Sequence, residues 1–339
     1  MSATDSGRDI AEEITVASLH GAGVIGWPEV VRAWNSIATR ITPLYHSDFV
    51  TAAVEDTRCR IVLAHEHNQH TGTFRARGAL YFLHVHRISP ALQSAGVAIA
   101  TTEPATARAW AWAARIAGVR AALFVSPTVG ASTIAAVNSE GASVHVLPGD
   151  ELQSQCAAYV ARTGAVVPDP ADSYVVAGAG TWVRDNHCLV PDIDTVVIPG
   201  TDRSLVLGTI ATATDYGCRT VVVTPADATP AADVIAGWGP DDPDESMRPK
   251  CFRPSHEGIV AAQRILRRRG IWVGTEGACG VAALTAQSLV PDGRYRPDHA
   301  ETVAVLLSTA DLHTGFVDGR PDRPGEDFAS GVDVGEGQR

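Results

Sequence analysis

Apolar residues at Val30, Val31, Trp34, Ile37 and Ile41 recur at helical spacing and predict a helix over 27–41. Pro28 suits its first turn, and Thr42-Pro43 closes it. Beyond it the pattern changes to short apolar runs that alternate with longer amphipathic stretches. The runs predict strands over 60–64, 96–100, 121–125, 143–147, 195–199, 220–224, 271–273 and 302–307. The stretches predict helices over 105–117, 132–139, 151–163, 205–216, 255–269 and 280–288. Repeated strand–helix–strand units imply an α/β fold whose parallel sheets carry helices on both faces. Ligands in such sheets sit at the carboxyl ends of the strands. Three segments break the pattern. Residues 1–26 are polar and punctuated by glycine, 240–249 read as an acidic loop, and 317–339 read as a disordered tail.

Composition narrows the class. Of 339 residues 45% are hydrophobic, which is globular and suggests one large or two ordinary domains. Lysine and arginine total 27 against 38 acids, a formal net charge of −11. Such a surface has no basic stripe to displace counterions from phosphates, so neither nucleic acid nor an anionic membrane is an expected partner. No apolar run approaches the roughly 20 residues of a membrane span, and residues 1–9 lack a signal pattern. The six cysteines are scattered without a C-x-x-C pair, as expected of free thiols in a reducing cytoplasm. Within the basic total, Lys250 is the single lysine.

Other chemistry is thinner. His65, His67, His70, His84 and His86 invite a metal, since imidazole suits several transition ions. On a helix, however, His84 and His86 point apart, and no metal site is expected. No G-x-S-x-G elbow occurs. Trp110 and Trp112 read as packing residues, and Arg267-Arg268-Arg269 as a cationic helix end.

The most informative stretch is Glu66-His67-Asn68-Gln69-His70-Thr71-Gly72-Thr73-Phe74-Arg75-Ala76-Arg77-Gly78-Ala79. It resembles the cofactor-lysine motif of the serine/threonine dehydratases, Glu-x-x-Gln-x-Thr-Gly-Ser-Phe-Lys-x-Arg-Gly-Ala. These are fold-type II pyridoxal-phosphate enzymes of the tryptophan synthase beta superfamily. Thr42-Pro43-Leu44 is similar to that group's Thr-Pro-Leu turn, Glu276-Gly277-Ala278-Cys279-Gly280 to its Glu-Pro-Ala-Cys-Gly, and residues 303–311 to its last strand. The resemblance covers roughly residues 30–315. It implies two doubly wound domains with parallel sheets and a cleft between them, assembled as a homodimer. A large domain would comprise 1–45 and 148–316, and a small one 46–147.

The resemblance also marks departures. The Schiff-base lysine falls on Arg75, whose guanidinium stays protonated and cannot condense with an aldehyde. The glycine-rich phosphate loop falls on Gly200-Thr201-Asp202-Arg203-Ser204-Leu205, with one glycine left to provide the close backbone approach. The substrate loop falls on Thr102-Glu103-Pro104-Ala105-Thr106, where Pro104 removes an amide donor. Ser308, facing the pyridine nitrogen, and Phe74 are retained. These departures lead to the expectation that no cofactor is held. The cleft would instead be repurposed, with Arg75, Glu103 and His67 as catalytic residues. Thr71, Phe74, Thr102, Asp202, Arg203, Ser204 and Ser308 would bind the ligand. The arginine fork would clamp a small anionic metabolite, and Glu103 or a histidine would move protons in a lyase-like elimination, addition or cyclisation. The competing reading is a non-catalytic subunit that regulates or scaffolds an active partner enzyme.

Overall fold

The strands Arg60–Ala64 (β2), Thr195–Pro199 (β6) and Thr302–Leu306 (β9) are buried along almost their whole length. That is the state of strands in a sheet with helices on both faces. The computed structural model describes residues 26–49, 59–226, 228, 247–285 and 295–312, together with the backbone of 316–317 and 320–321. Six strands form the larger sheet in the order β1-β2-β9-β6-β7-β8, where β1 is His46–Asp48, β7 is Arg219–Val223 and β8 is Lys250–Phe252. All neighbours run parallel except β1, which is antiparallel to β2. A second, all-parallel sheet has the order β3-β4-β5, from Val97–Thr101, Ala121–Val125 and Ser143–Val146.

The helices are Trp27–Ile37 (α1), Arg75–His86 (α2), Pro90–Ser94 (α3), Pro104–Ala117 (α4), Ala131–Ser139 (α5), Leu152–Thr163 (α6) and Ser173–Leu189 (α7). Arg203–Asp215 (α8), His256–Arg267 (α9) and Thr275–Thr285 (α10) complete the α-helices among the described residues. At the centre of one layer α2, α7 and α8 cross with their backbones in contact. A Cβ on Gly178 would lie 2.7 Å from the Arg77 carbonyl oxygen, and one on Gly180 would lie 2.6 Å from that of Gly208. Only glycine permits that approach.

The α/β architecture with parallel sheets is as expected, but the division of the chain differs. The sequence predicts residues 46–64 in the small domain, yet β1 and β2 belong to the six-stranded sheet, because β2 pairs with β9 over five residues. The smaller sheet occupies only 97–146. The apolar run at 271–273 is not a strand. Val273 makes a single bridge to Ala310. The helix expected over 280–288 starts earlier, at Thr275, and 286–288 lie outside the described residues. So do residues 1–25, residues 240–246 of the acidic loop and the tail beyond 321. Among the described residues no helix is long and apolar enough to cross a membrane.

Candidate active site

β2 and β6 flank β9, and the chain leaves β2 for the smaller sheet before returning to β6. The loops after these strands therefore open around one point, where ligands bind in open α/β sheets. The loop after β2 is pinned to the end of β9 by three backbone hydrogen bonds. His67 donates to Leu307 at 2.7 Å, Phe74 to Ser308 at 3.0 Å, and Ala310 donates back to Gly72 at 2.8 Å. Gly72 sits at φ +75°, where the chain turns toward α2.

The motif residues divide into a frame and a reactive corner. In the frame, Arg77 is fully buried and forks onto Glu66, with Nε to Oε2 at 2.8 Å and Nη2 to Oε1 at 2.7 Å. Its Nη1 reaches Asp185 at 2.7 Å and Thr181 at 3.1 Å. The Gln69 amide holds both backbone groups of Thr42 at 2.9 Å and donates to Glu66. Glu66, Gln69 and Arg77 thus fix the start of α2 against α7.

The reactive corner is Arg75, the first residue of α2, which lies over the Phe74 ring at 4.8 Å. Its guanidinium is doubly bonded to Glu276, with Nη1 to Oε2 at 2.9 Å and Nη2 to Oε1 at 3.1 Å. Nε is 3.0 Å from Asp202, and Nη2 is 3.5 Å from Glu103. One cation thus faces three carboxylates, and the corner carries an excess of negative charge. Burial alone would lower the pKa of Arg75, but Glu276, Asp202 and Glu103 overcome it and raise it further. Burial would raise Glu276, and Arg75 together with the hydroxyls of Thr309 and Thr201 brings it below the usual carboxylate range. Those hydroxyls donate to Glu276 at 2.8 and 3.0 Å. Asp202 also caps α8, accepting from the Leu205 amide at 3.0 Å and from the Ser204 hydroxyl at 2.6 Å. A cavity of about 440 Å³ opens onto this corner, lined by Arg75, Glu103, Thr201, His256, Glu276 and Thr309 among others.

Of the residues expected in the site, Arg75, Glu103, Asp202, Ser204 and Phe74 are brought together. Arg203 begins α8 beside them and lines neither this cavity nor a second, of about 400 Å³, that Arg75 also lines. Thr102 is exposed and Thr71 is buried beneath the loop, and neither lines a cavity beside Arg75. The clamp expected for an anionic metabolite is occupied, because Arg75 already holds the carboxylate of Glu276. Glu276 went unselected in the sequence, although it opens the Glu-Gly-Ala-Cys-Gly stretch.

His67 is displaced from the role expected of it. It is buried with its ring tilted against His65 at a centroid distance of 5.2 Å, His65 in turn stacks on Tyr45 at 4.3 Å, and His67 lines neither cavity beside Arg75. Among the described residues no three such side chains converge to hold a metal ion. Burial, reinforced by His67 and His46, pushes His65 down to about 3, and burial pushes His67 down to about 4. Both rings stay neutral in the folded protein while the unfolded chain takes up protons below pH ~6.5. Stability is therefore expected to fall as pH drops from about 6.5 toward 4, by on the order of 1.4 kcal/mol per pH unit for each ring. Urea denaturation of the native protein and of His67→Gln at pH 7 and pH 5 measures this, and an equal pH slope in both proteins refutes it.

Comparison with known proteins places this geometry. A family model described as pyridoxal-phosphate dependent enzyme matches residues 36–309. A curated protein from Sinorhizobium fredii bearing the name of a threonine dehydratase is 30% identical over 173 residues, which is 50% of each chain. This chain thus spans about half the length of that relative. Among solved structures, serine racemase from Dictyostelium discoideum superimposes with a TM-score of 0.71 at 18% identity, over 85% of this chain and 98% of the racemase. An L-serine ammonia-lyase from Rhizomucor miehei does so with a TM-score of 0.63 at 15% identity, over 80% and 94%. At such identities the two structures show the fold alone.

These matches overturn the expectation of a cleft without cofactor. The matched family is one of pyridoxal-phosphate enzymes, so pyridoxal phosphate is the cofactor to expect. The residues fit it unevenly. Ser308, fully buried with a hydroxyl that has no hydrogen-bond partner, suits a ring nitrogen. Residue 75 offers a guanidinium tied to three carboxylates instead of an amine. Lys250 begins β8 beside Val221, the central residue of β7, and lines neither cavity beside Arg75.

Proposed function

Because the chain belongs to the family of pyridoxal-phosphate dependent enzymes, we propose that it is a lyase-type enzyme acting in this cleft on a small metabolite that bears an amine. The observation that carries this reading is the surplus of carboxylates around Arg75. At about 4 Å and an effective dielectric near 20, a unit charge pair is worth on the order of 4 kcal/mol, so a surplus of this sign draws an ammonium group and repels a free anion.

The chain's own residues divide the work. Arg75 remains charged and serves as an orienting group, not a base. Glu276 and Thr309 fix the plane of its guanidinium. Glu103, at the end of β3 and more than half exposed, is the carboxylate least engaged by Arg75 and stands at the cavity wall. It is the group placed to draw in the ammonium and, once the amine has lost its proton, to take or return a proton at the neighbouring carbon. Pyridoxal phosphate, when bound, supplies an electron sink for negative charge at that carbon.

The test is turnover. Purified protein with added pyridoxal phosphate is incubated with L-serine, L-threonine and 2,3-diaminopropionate, each of which carries a leaving group on the β-carbon, and ammonia and 2-oxo acid are measured. Release from at least one is expected, with kcat in Glu103→Gln reduced about a hundredfold or more and KM changed less. No release from any of the three, or an unchanged kcat in Glu103→Gln, would sink the reading.

A further inference from the structure

Among the described residues, four charged or titratable side chains line the cavity at the reactive corner: Arg75, Glu103, Glu276 and His256. Arg75 stays charged. Glu276 is tied to it by two bonds and accepts from two hydroxyls, so its oxygens are engaged. Glu103 exchanges the proton at the carbon beside the amine. His256 has no task yet. It is exposed at the cavity wall, and among the described residues no hydrogen bond or ion pair engages its ring.

The two groups come from different sheets. Glu103 follows β3 of the three-stranded sheet, whereas His256 begins α9, whose apolar face packs with strands of the six-stranded one. The start of α9 is held firmly. Ser255 caps it, its hydroxyl accepting from the Gly258 amide at 3.2 Å. Just before the cap, Nη2 of Arg253 donates to the carbonyls of Ala226 at 2.9 Å and Ala228 at 3.0 Å. The Ala226 amide donates to Pro254 at 3.1 Å, and the Thr224 amide to Phe252 at 2.9 Å. Pro225 and Ala228 are wall of the same cavity. His256 thus stands on a cross-linked wall, the support that a group meeting a substrate requires.

An elimination needs more than a base. The double bond forms only when the substituent on the β-carbon departs, and a hydroxyl departs readily only with a proton. We infer that His256 is the catalytic acid that protonates the departing β-substituent, a role that rests on the lyase-type reading above. With L-serine, Glu103 takes the α-proton and the electron pair of that C–H bond ends as the Cα–Cβ double bond. The Cβ–O bond breaks with its pair on oxygen, and the proton of the His256 imidazolium completes a water molecule. The 2-aminoacrylate released takes up water to give ammonia and pyruvate. Glu103 then yields its proton to solvent and His256 takes one back, an exchange suited to histidine near neutral pH.

L-Serine and β-chloro-L-alanine isolate this role, since both yield ammonia and pyruvate and differ only in the group that leaves. Chloride needs no proton. In His256→Asn, kcat for L-serine is expected to fall about a hundredfold or more, and kcat for β-chloro-L-alanine by less than about threefold. A second readout needs no turnover. 2-Methyl-L-serine carries the hydroxyl but no α-proton, so it occupies the cavity without eliminating. It is expected to slow carbethoxylation of His256 by diethyl pyrocarbonate severalfold, as read by peptide mass, while the exposed His299 reacts as before. An equal fall for both amino acids, an unchanged kcat for L-serine, or an unaltered His256 labelling rate would each overturn the inference. If the native protein releases ammonia and the variant keeps the native ratio of the two rates, the acid role alone fails. If the native protein releases none, the lyase-type reading fails and takes this role with it.

Discussion

Arg77→Ala is expected to destabilise the protein by about 3–5 kcal/mol, the usual cost of removing one partner from a buried ion pair. Arg77 and Glu66 are both fully buried and share two hydrogen bonds, while the same guanidinium also satisfies Asp185 and Thr181. The substitution leaves Glu66, fully buried in the native protein, with the Gln69 amide as its remaining hydrogen-bond donor among the described residues. Arg77→Lys keeps a charge and loses the fork, so it should fall between the two. Urea denaturation measures both. A loss below about 1 kcal/mol in Arg77→Ala would mean that Glu66 is not desolvated as the structure has it.

Arg75→Ala is expected to destabilise by a comparable amount at pH 7.5, and its signature is a reversal in pH dependence. In the native protein Arg75 holds Glu276 below its ordinary range. That contribution is present above pH ~4.5 and is lost as pH falls through the lower folded pKa. Without Arg75, Glu276 is a buried carboxylate beside Asp202, and burial together with like charge raises its pKa above that of the unfolded chain. Its folded form then binds more protons than the unfolded one. The stability gap between variant and native protein should therefore narrow as pH falls from 7.5 to 5. Denaturation midpoints across that interval decide it, and a constant gap would show that Glu276 is not the group left exposed to this change.

Much of this fold could be read from the chain, and the parts that could not share a cause. The apolar runs at 60–64, 121–125 and 195–199 are strands within the same limits, because burial on both faces leaves a continuous signal. α7, the longest helix described, had no such signal. Val175, Val176, Gly178 and Gly180 are poor helix formers, and the helix exists because α2 and α8 press against its glycines. β8 is three residues long and partly polar, and gains its place by pairing with β7. The site divides in the same way. Arg75, Glu103 and Asp202 were visible through one local motif and its companion loops. Glu276 lies 201 residues from Arg75, and only the closing of the sheet makes it a partner. His67 sits in the motif, but the backbone bond to Leu307 seats it under the loop, away from the cavity.

The frame around α2 has a consequence for how such a protein changes over time. The start of this helix is fixed by groups other than its first residue, through the Glu66–Arg77 pair on one side and the Gly78–Gly178 crossing on the other. Position 75 can therefore exchange one side chain for another while the backbone beneath it stays where it was. Selection can rewrite the chemistry of the corner without first rebuilding the scaffold, provided that the charges facing position 75 change together with it. An engineer holds the same freedom, and a library confined to residues 75, 103, 202 and 276 explores new reactions with the hydrophobic core left untouched.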